Sequence, residues 1–155
     1  MFDKILFVDD DPITLMLCKK VIAKTSFANE IVTAQDGEEA LKYFNTLKYD
    51  NTKSTTDKIP QLIFLDLNMP VMGGWEFLEH FTSDAYTEFS DTKVIILSST
   101  IDPEDLERAK RYPVIIDFLS KPITTSMIEY LKDKSEITLI KSCVFHYEME
   151  FIHPF

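Results

Sequence analysis

The chain has 155 residues, with 16 Lys and Arg against 26 Asp and Glu, a formal net charge of −10; 45% of residues are hydrophobic and 27% charged. That composition excludes a disordered chain, and the length suits one domain that buries roughly 68–70% of its unfolded surface. The negative balance disfavours phosphate backbones and anionic membranes, so neither nucleic acid nor membrane is expected as a partner.

Ile5-Leu6-Phe7-Val8 is a short continuous apolar run, the pattern of a strand buried on both faces of a parallel sheet. It stops at Asp9-Asp10-Asp11-Pro12, where Asp11 suits an N-cap and Pro12 a first helical residue. A helix follows to about Lys24, with Ile13, Leu17 and Val21 in one row and Leu15, Cys18 and Ile22 beside it. Glu30 to Ala34 reads as a second strand, and Asp36 with Glu39 as a capping box for a helix carrying Ala40, Leu41, Phe44 and Leu47. Tyr49 to Lys58 is polar and reads as a loop.

Leu62-Ile63-Phe64-Leu65 is the third strand and again ends on an acid, Asp66. Gly73-Gly74 opens a helix holding Trp75, Phe77, Leu78 and Phe81, and the polar stretch Ser83 to Thr92 reads as a second loop. Val94 to Leu97 is the fourth strand, followed by Ser98-Ser99-Thr100; Asp102-Pro103 starts a helix to about Arg111. The fifth strand lies within Val114 to Leu119 and ends at Ser120-Lys121-Pro122, after which Thr124 or Thr125 caps a last helix. Five strands alternating with five helices predict a parallel sheet covered on both faces.

In such sheets ligands bind beyond the carboxyl ends of the strands. The residues there are Asp9, Asp10, Asp66, Ser98, Ser99, Lys121 and Pro122. Taken singly each has an ordinary reading as a cap, a turn or a solvated side chain. Together, at consecutive strand ends, they make a site. Three carboxylates from two strands repel one another, and a divalent cation removes the conflict. All-oxygen ligation without further His or Cys points to Mg²⁺. A carboxylate beside Mg²⁺ can act as a nucleophile and form an aspartyl phosphate, with Lys121 supplying positive charge and Ser98 a hydroxyl.

The segments Val8-Asp9-Asp10-Asp11-Pro12, Leu65-Asp66-Leu67-Asn68-Met69-Pro70, Met72-Gly73-Gly74, Ile96-Leu97-Ser98-Ser99 and Phe118-Leu119-Ser120-Lys121-Pro122, in this order, resemble a response-regulator receiver domain of two-component signalling. The resemblance covers roughly residues 3–134 and is closest to the stand-alone, chemotaxis-regulator-like type. It implies a (βα)5 doubly wound, flavodoxin-like fold with strand order 2-1-3-4-5. It implies Asp66 as the phosphorylated residue, and Asp9, Asp10, Asp66 and the carbonyl of Asn68 as the Mg²⁺ site. It also implies Ser98, with Ser99 beside it, as the switch at the phosphoryl group, Lys121 as its ammonium partner, Phe118 as the aromatic switch and a cis bond before Pro122. Gly73 departs from the family, which often has Asp there, and this alters the turn rather than the chemistry.

The function so implied is to accept a phosphoryl group from a sensor histidine kinase or histidine phosphotransfer protein and to switch a protein-binding face for an unidentified downstream target. The domain is then a phospho-acceptor rather than an enzyme. A haloacid-dehalogenase-type phosphotransferase is the enzymatic alternative, but it normally needs Asp-x-Asp, and Asn68 stands at the second position. A receiver-like binding module without phosphorylation is the other. The expected division is a receiver over 1–134 and a C-terminal extension over 135–155. In the extension Phe145, Tyr147, Met149 and Phe151 alternate with polar residues like a half-buried strand. A homodimer through the helix 4–strand 5–helix 5 face or through this extension is a further expectation. Cys18 and Cys143 are too few for a disulfide framework, no signal peptide is visible and no apolar run reaches 18 residues, so a cytoplasmic protein with reduced thiols is expected.

Overall fold

The computed structural model describes residues 2–49 and 59–137; most of the first polar stretch, Cys143 and the alternating segment to Phe151 lie outside them. Among the described residues one parallel sheet runs in the order β2-β1-β3-β4-β5. Its strands are β1 (Phe2–Val8), β2 (Ala28–Ala34), β3 (Leu62–Leu65), β4 (Lys93–Ser98) and β5 (Ile115–Ser120). The crossovers carry α1 (Pro12–Thr25), α2 (Gly37–Tyr49), α3 (Gly74–Phe81), α4 (Pro103–Ala109) and α5 (Thr125–Ile137). This is the expected architecture and strand order.

The continuous apolar runs do what two-sided burial requires. All four residues of β3 and the last four of β1 are buried. Alternate side chains feed two cores. Leu6, Val8, Ile63, Leu65, Ile96 and Phe118 meet Leu41, Phe44, Phe77, Leu78 and Phe81 of α2 and α3. Ile5, Phe7, Leu62, Phe64, Ile95 and Leu97 meet Leu15, Cys18 and Ile22 of α1 and Ile128 and Leu131 of α5. Each fully buried Leu, Ile or Phe contributes about 1.5–3 kcal/mol relative to exposure.

Helix starts follow the capping signals. Asp11 Oδ1 accepts from the Ile13 N–H at 2.9 Å, Asp102 Oδ1 from the Glu104 N–H at 2.9 Å, and Asp36 Oδ1 from the Glu39 N–H at 2.8 Å. Each satisfies an amide that the helix leaves without an internal partner. At α5 the cap is Thr124, whose Oγ1 accepts from the Met127 N–H at 3.2 Å.

Several details differ from the sequence reading; β1 begins at Phe2, three residues before Ile5, and β5 runs on to Ser120. Strand β2 begins two residues earlier, at Ala28, because Phe27 and Ala28 already pair with the start of β1. Helix α4 ends at Ala109, short of Arg111. On α1 the row Leu15, Cys18, Ile22 is buried, whereas Ile13 and Leu17 are 63% and 47% exposed. The stretch Ser83 to Thr92 contains a 3-10 helix, Asp84–Phe89, rather than loop alone. The segment is kinked at Tyr86, and Tyr86 and Phe89 both pack against Phe81, with Phe89 also against Phe44, while the polar residues face water. Lys48 of α2 binds this insertion through the Ala85 carbonyl and Glu88, and the Tyr86 hydroxyl donates to Asn45 Oδ1 at 3.0 Å.

Candidate functional site

The parallel register brings four strand ends to one edge of the sheet. Val8 lies beside Leu65, and Ser98 beside Ser120. The next residue of each run is therefore held by the sheet ladder. The Asp9 N–H donates to Ala34 O at 3.0 Å, the Asp66 N–H to Val8 O at 2.9 Å, and the Lys121 N–H to Ser98 O at 2.8 Å. Each functional side chain thus leaves a backbone tied to the neighbouring strand.

Asp9, Asp10 and Asp66 meet there: each offers a carboxylate oxygen within 4.8 Å of the others. Asp9 and Asp66 are buried and Asp10 is exposed. The Lys121 ammonium enters from β5, 2.5 Å from Asp9 Oδ2 and 3.4 Å from Asp66 Oδ2. The second oxygen of Asp9 accepts from the Asp11 N–H at 2.9 Å, which fixes that carboxylate's plane. Lys121 is followed by a cis peptide bond to Pro122.

One ammonium among three carboxylates leaves an excess of negative charge. Two unit charges about 5 Å apart interact by about 3 kcal/mol at an effective dielectric of about 20. Burial pushes the Asp66 carboxyl above the ordinary aspartate value, and the neighbouring Asp9 adds to this; Lys121 and the Asn68 backbone N–H oppose it. Burial works against the Lys121 charge, but the hydrogen bond to Asp9 and the charges of Asp66 and Asp9 outweigh it, so its pKa lies above the ordinary lysine value. The site is an anionic pocket of hard oxygen donors that can hold a divalent cation.

The other expected residues take different places. Ser98 is buried, and its hydroxyl donates to Thr100 O at 2.8 Å and accepts from the Thr100 N–H at 3.4 Å, so it is tied to its own loop. Ser99 is exposed, and no hydrogen bond among the described residues joins it to the acidic cluster. Phe118 is fully buried in the core beneath α2, α3 and α4. Asn68 is exposed, with its N–H toward Asp66. His80 is an exposed residue of α3.

Glycine is required where α3 begins. A Cβ at Gly74 would stand 2.5 Å from the Asp66 carbonyl oxygen and 2.9 Å from Leu67 Cα. The Gly74 N–H donates to Leu67 O at 3.0 Å, so the helix start is pressed directly against the Asp66 loop. Gly73, the N-cap of α3, adopts an extended conformation and makes no side-chain cap hydrogen bond.

Beneath the pocket Cys18 is 1% exposed, and burial, with the Asp9 charge, pushes its thiol up to about 12. It is an inert core thiol. Two groupings escaped the sequence reading. Asp117 and Lys134 form a buried pair at 2.7 Å joining β5 to α5. Its signal was an acid inside the apolar run Ile115 to Leu119, since an acid is almost never buried without a partner. The other groups Trp75 and Glu79 of α3 with Asp105 and Arg108 of α4. No periodicity on either helix discloses it.

The chain is 29% identical over 119 residues to protein-glutamate methylesterase/protein-glutamine glutaminase 3 of Geobacter sulfurreducens, covering 77% of this chain and 28% of that protein. It is 26% identical over 121 residues to the probable C4-dicarboxylate response regulator DctR of Halalkalibacterium halodurans, covering 78% of this chain and 46% of that protein. The chain therefore spans less than half the length of these curated relatives. A solved two-component response regulator from Cytophaga hutchinsonii superposes with a TM-score of 0.73 at 29% identity, covering 86% of this chain and 96% of that one. The family model of the response regulator receiver domain matches residues 5–131, a span that holds every residue of the pocket. The chain belongs to the response regulator receiver domain family of two-component signalling.

Proposed function

We propose that this receiver takes a phosphoryl group onto Asp66 from the phosphohistidine of a sensor histidine kinase or histidine phosphotransfer protein, and that the added charge switches a protein-binding face. The observation that carries this reading is the meeting of Asp9, Asp10, Asp66 and Lys121 at three strand ends. Mg²⁺ fits the carboxylates of Asp9, Asp10 and Asp66 with the carbonyl of Asn68. When bound it offsets the negative charge of the acids and of the incoming phosphoryl group.

In the transfer an Asp66 carboxylate oxygen bonds to phosphorus while the phosphorus–nitrogen bond of the donor breaks, and the imidazole leaves. Lys121 is already 3.4 Å from the acceptor carboxylate, placed to pair with the phosphoryl oxygens. Ser98 reaches the phosphoryl group by giving up Thr100. Its departure vacates space above Phe118, and the surface of α4, β5 and α5 changes with it. The output is contact with a downstream protein, without chemistry on a separate substrate. Residues 135–155 form an extension to the 1–134 receiver, and this extension or the α4–β5–α5 face is the natural place for a homodimer. A cytoplasmic location is part of this reading. Among the described residues no helix is long and apolar enough to cross a membrane.

The test is incubation with acetyl phosphate and Mg²⁺ followed by peptide mass spectrometry. One phosphoryl group is expected on the Asp66 peptide, and none after EDTA. Label on another residue, or label indifferent to EDTA, would overturn the assignment.

A donor protein has a face to land on. Ile13, Met16 and Leu17 of α1 are 63%, 48% and 47% exposed, and Val71 in the loop after Asp66 is 75% exposed. These apolar side chains belong to the two segments that carry the acids. Replacing Leu17 by glutamate is expected to slow transfer from the protein donor about tenfold, the effect of losing a central interface contact. Labelling by acetyl phosphate, which needs no docking face, stays within about twofold. Equal slowing with both donors would show that the substitution damages the pocket instead.

A further inference from the structure

Helix α4 has little to hold it down. Among its seven residues only Ala109 is buried, with Leu106 half-buried beside it. It is also attached to a cluster on α3. The Trp75 indole N–H donates to Asp105 Oδ1 at 3.0 Å. The Arg108 guanidinium lies over the same indole, 4.7 Å from the ring centroid, and its Nη2 is 3.3 Å from Glu79 Oε1. Just past the helix the Tyr112 ring stacks on Trp75 at 5.8 Å. One tryptophan therefore receives a hydrogen-bond acceptor, a cation and an aromatic ring from a single neighbouring segment.

The two ends of this contact lead to the phospho-acceptor pocket by separate routes. Trp75 follows Gly74, whose backbone is pressed against the Asp66 loop. Helix α4 is joined to Ser98 through Ser99, Thr100, Ile101 and Asp102, and the Ser98 hydroxyl holds both backbone groups of Thr100. If Ser98 turns toward Asp66, it gives up Thr100 and the short connection to α4 loses that anchor, so α4 can shift. The Trp75 cluster is then what still holds α4 in place.

We propose that Trp75, with Asp105 and Arg108, is an autoinhibitory clamp that holds α4 in its resting position and opposes the switch. This rests on the phospho-acceptor reading above. A contact made only in the resting state lowers the affinity of any ligand that favours the switched state, and its removal raises that affinity.

Trp75 is the single tryptophan of the chain. Its indole N–H therefore gives one resolved signal in a proton–nitrogen NMR spectrum. The experiment is a titration with beryllofluoride, an acyl-phosphate mimic, in Mg²⁺ buffer, on the wild type and on Trp75→Phe and Asp105→Ala. Phenylalanine keeps the stacking surface and removes the donor; alanine at half-buried Asp105 removes only the acceptor. The expected result is a displaced indole signal in the wild type together with shifts of the Asp66 and Lys121 amides. Both variants are expected to bind beryllofluoride about fivefold more tightly, the lower end of ordinary coupling between sites. Wild-type affinity in both variants, or an indole signal that stays in place while the Asp66 and Lys121 amides move, would overturn the clamp and leave the acceptor assignment standing. No movement of any amide would remove the acceptor reading and the clamp with it.

Discussion

Asp66→Asn is expected to take up no phosphoryl group from acetyl phosphate in Mg²⁺ buffer, while folding at least as well as the wild type. The amide has the shape of the carboxylate but no nucleophilic oxygen at neutral pH. Asp9 and Asp10 remain, yet each lies on a different segment from the acceptor loop, and Asp9 is committed to Lys121 at 2.5 Å and to the Asp11 N–H. The stability half of the expectation follows from the charge balance. Burial, aided by Asp9, makes the ionised form of Asp66 unfavourable, so an uncharged side chain of the same size relieves repulsion in the free protein. Labelling and thermal unfolding on one preparation check both halves. Residual label on the folded variant would remove Asp66 as the acceptor; an unfolded variant would instead give Asp66 a structural task that its surroundings do not indicate.

Lys134→Met is expected to destabilise the domain by about 3–5 kcal/mol, on the order of a 10 °C loss in melting temperature. Asp117 has no exposed surface, and its carboxylate accepts from Lys134 Nζ at 2.7 Å and from the Phe118 N–H at 2.8 Å. Lys134 also donates to Ile116 O at 3.0 Å, so one ammonium ties the last turn of α5 to two residues of β5. Methionine fills the volume and leaves a buried carboxylate without its counter-charge. Removing both charges, in Asp117→Leu with Lys134→Met, is expected to recover most of the loss, because the desolvation penalty disappears with the pair.

The pH dependence fixes the mechanism. In the wild type burial already holds the Asp117 carboxyl above its ordinary value, with Lys134 opposing. Without Lys134 it rises further. The folded state then binds this proton more tightly than the unfolded state, so stability falls as pH rises through the window between the unfolded and folded values. The deficit of Lys134→Met is therefore largest above the variant's folded value and shrinks as the pH drops toward the ordinary aspartate value. Chemical denaturation at several pH values measures it. A deficit independent of pH would mean that lost packing, rather than an unpaired charge, is responsible.

The fold was legible because its strands are unambiguous. Runs such as Leu62 to Leu65 have no polar residue to suggest a surface, and each ends on a residue whose chemistry marks the sheet edge. The acidic cluster was legible for the same reason: Asp9, Asp10 and Asp66 follow apolar strands directly. Ser98 was legible as a position but not as a state, since its hydrogen bond to Thr100 depends on a loop conformation that composition does not specify. The 3-10 helix was hidden because Tyr86 and Phe89 are only two apolar anchors in a polar stretch. The pair of Asp117 with Lys134 and the contacts of Trp75 are tertiary. Their partners lie 17 and 30 positions away, beyond the reach of any local pattern.

The pocket draws its parts from strands that leave the ribosome at different times. Asp9 and Asp10 come from the beginning of the matched domain and Lys121 from near its end. Because β1 is interior to the sheet, it waits for β3 on one side and β2 on the other, and β4 cannot receive β5 until almost the whole domain has been made. A nascent or truncated chain presents carboxylates without their lysine. On the phospho-acceptor reading proposed above, competence to take up a phosphoryl group would then be restricted to finished molecules.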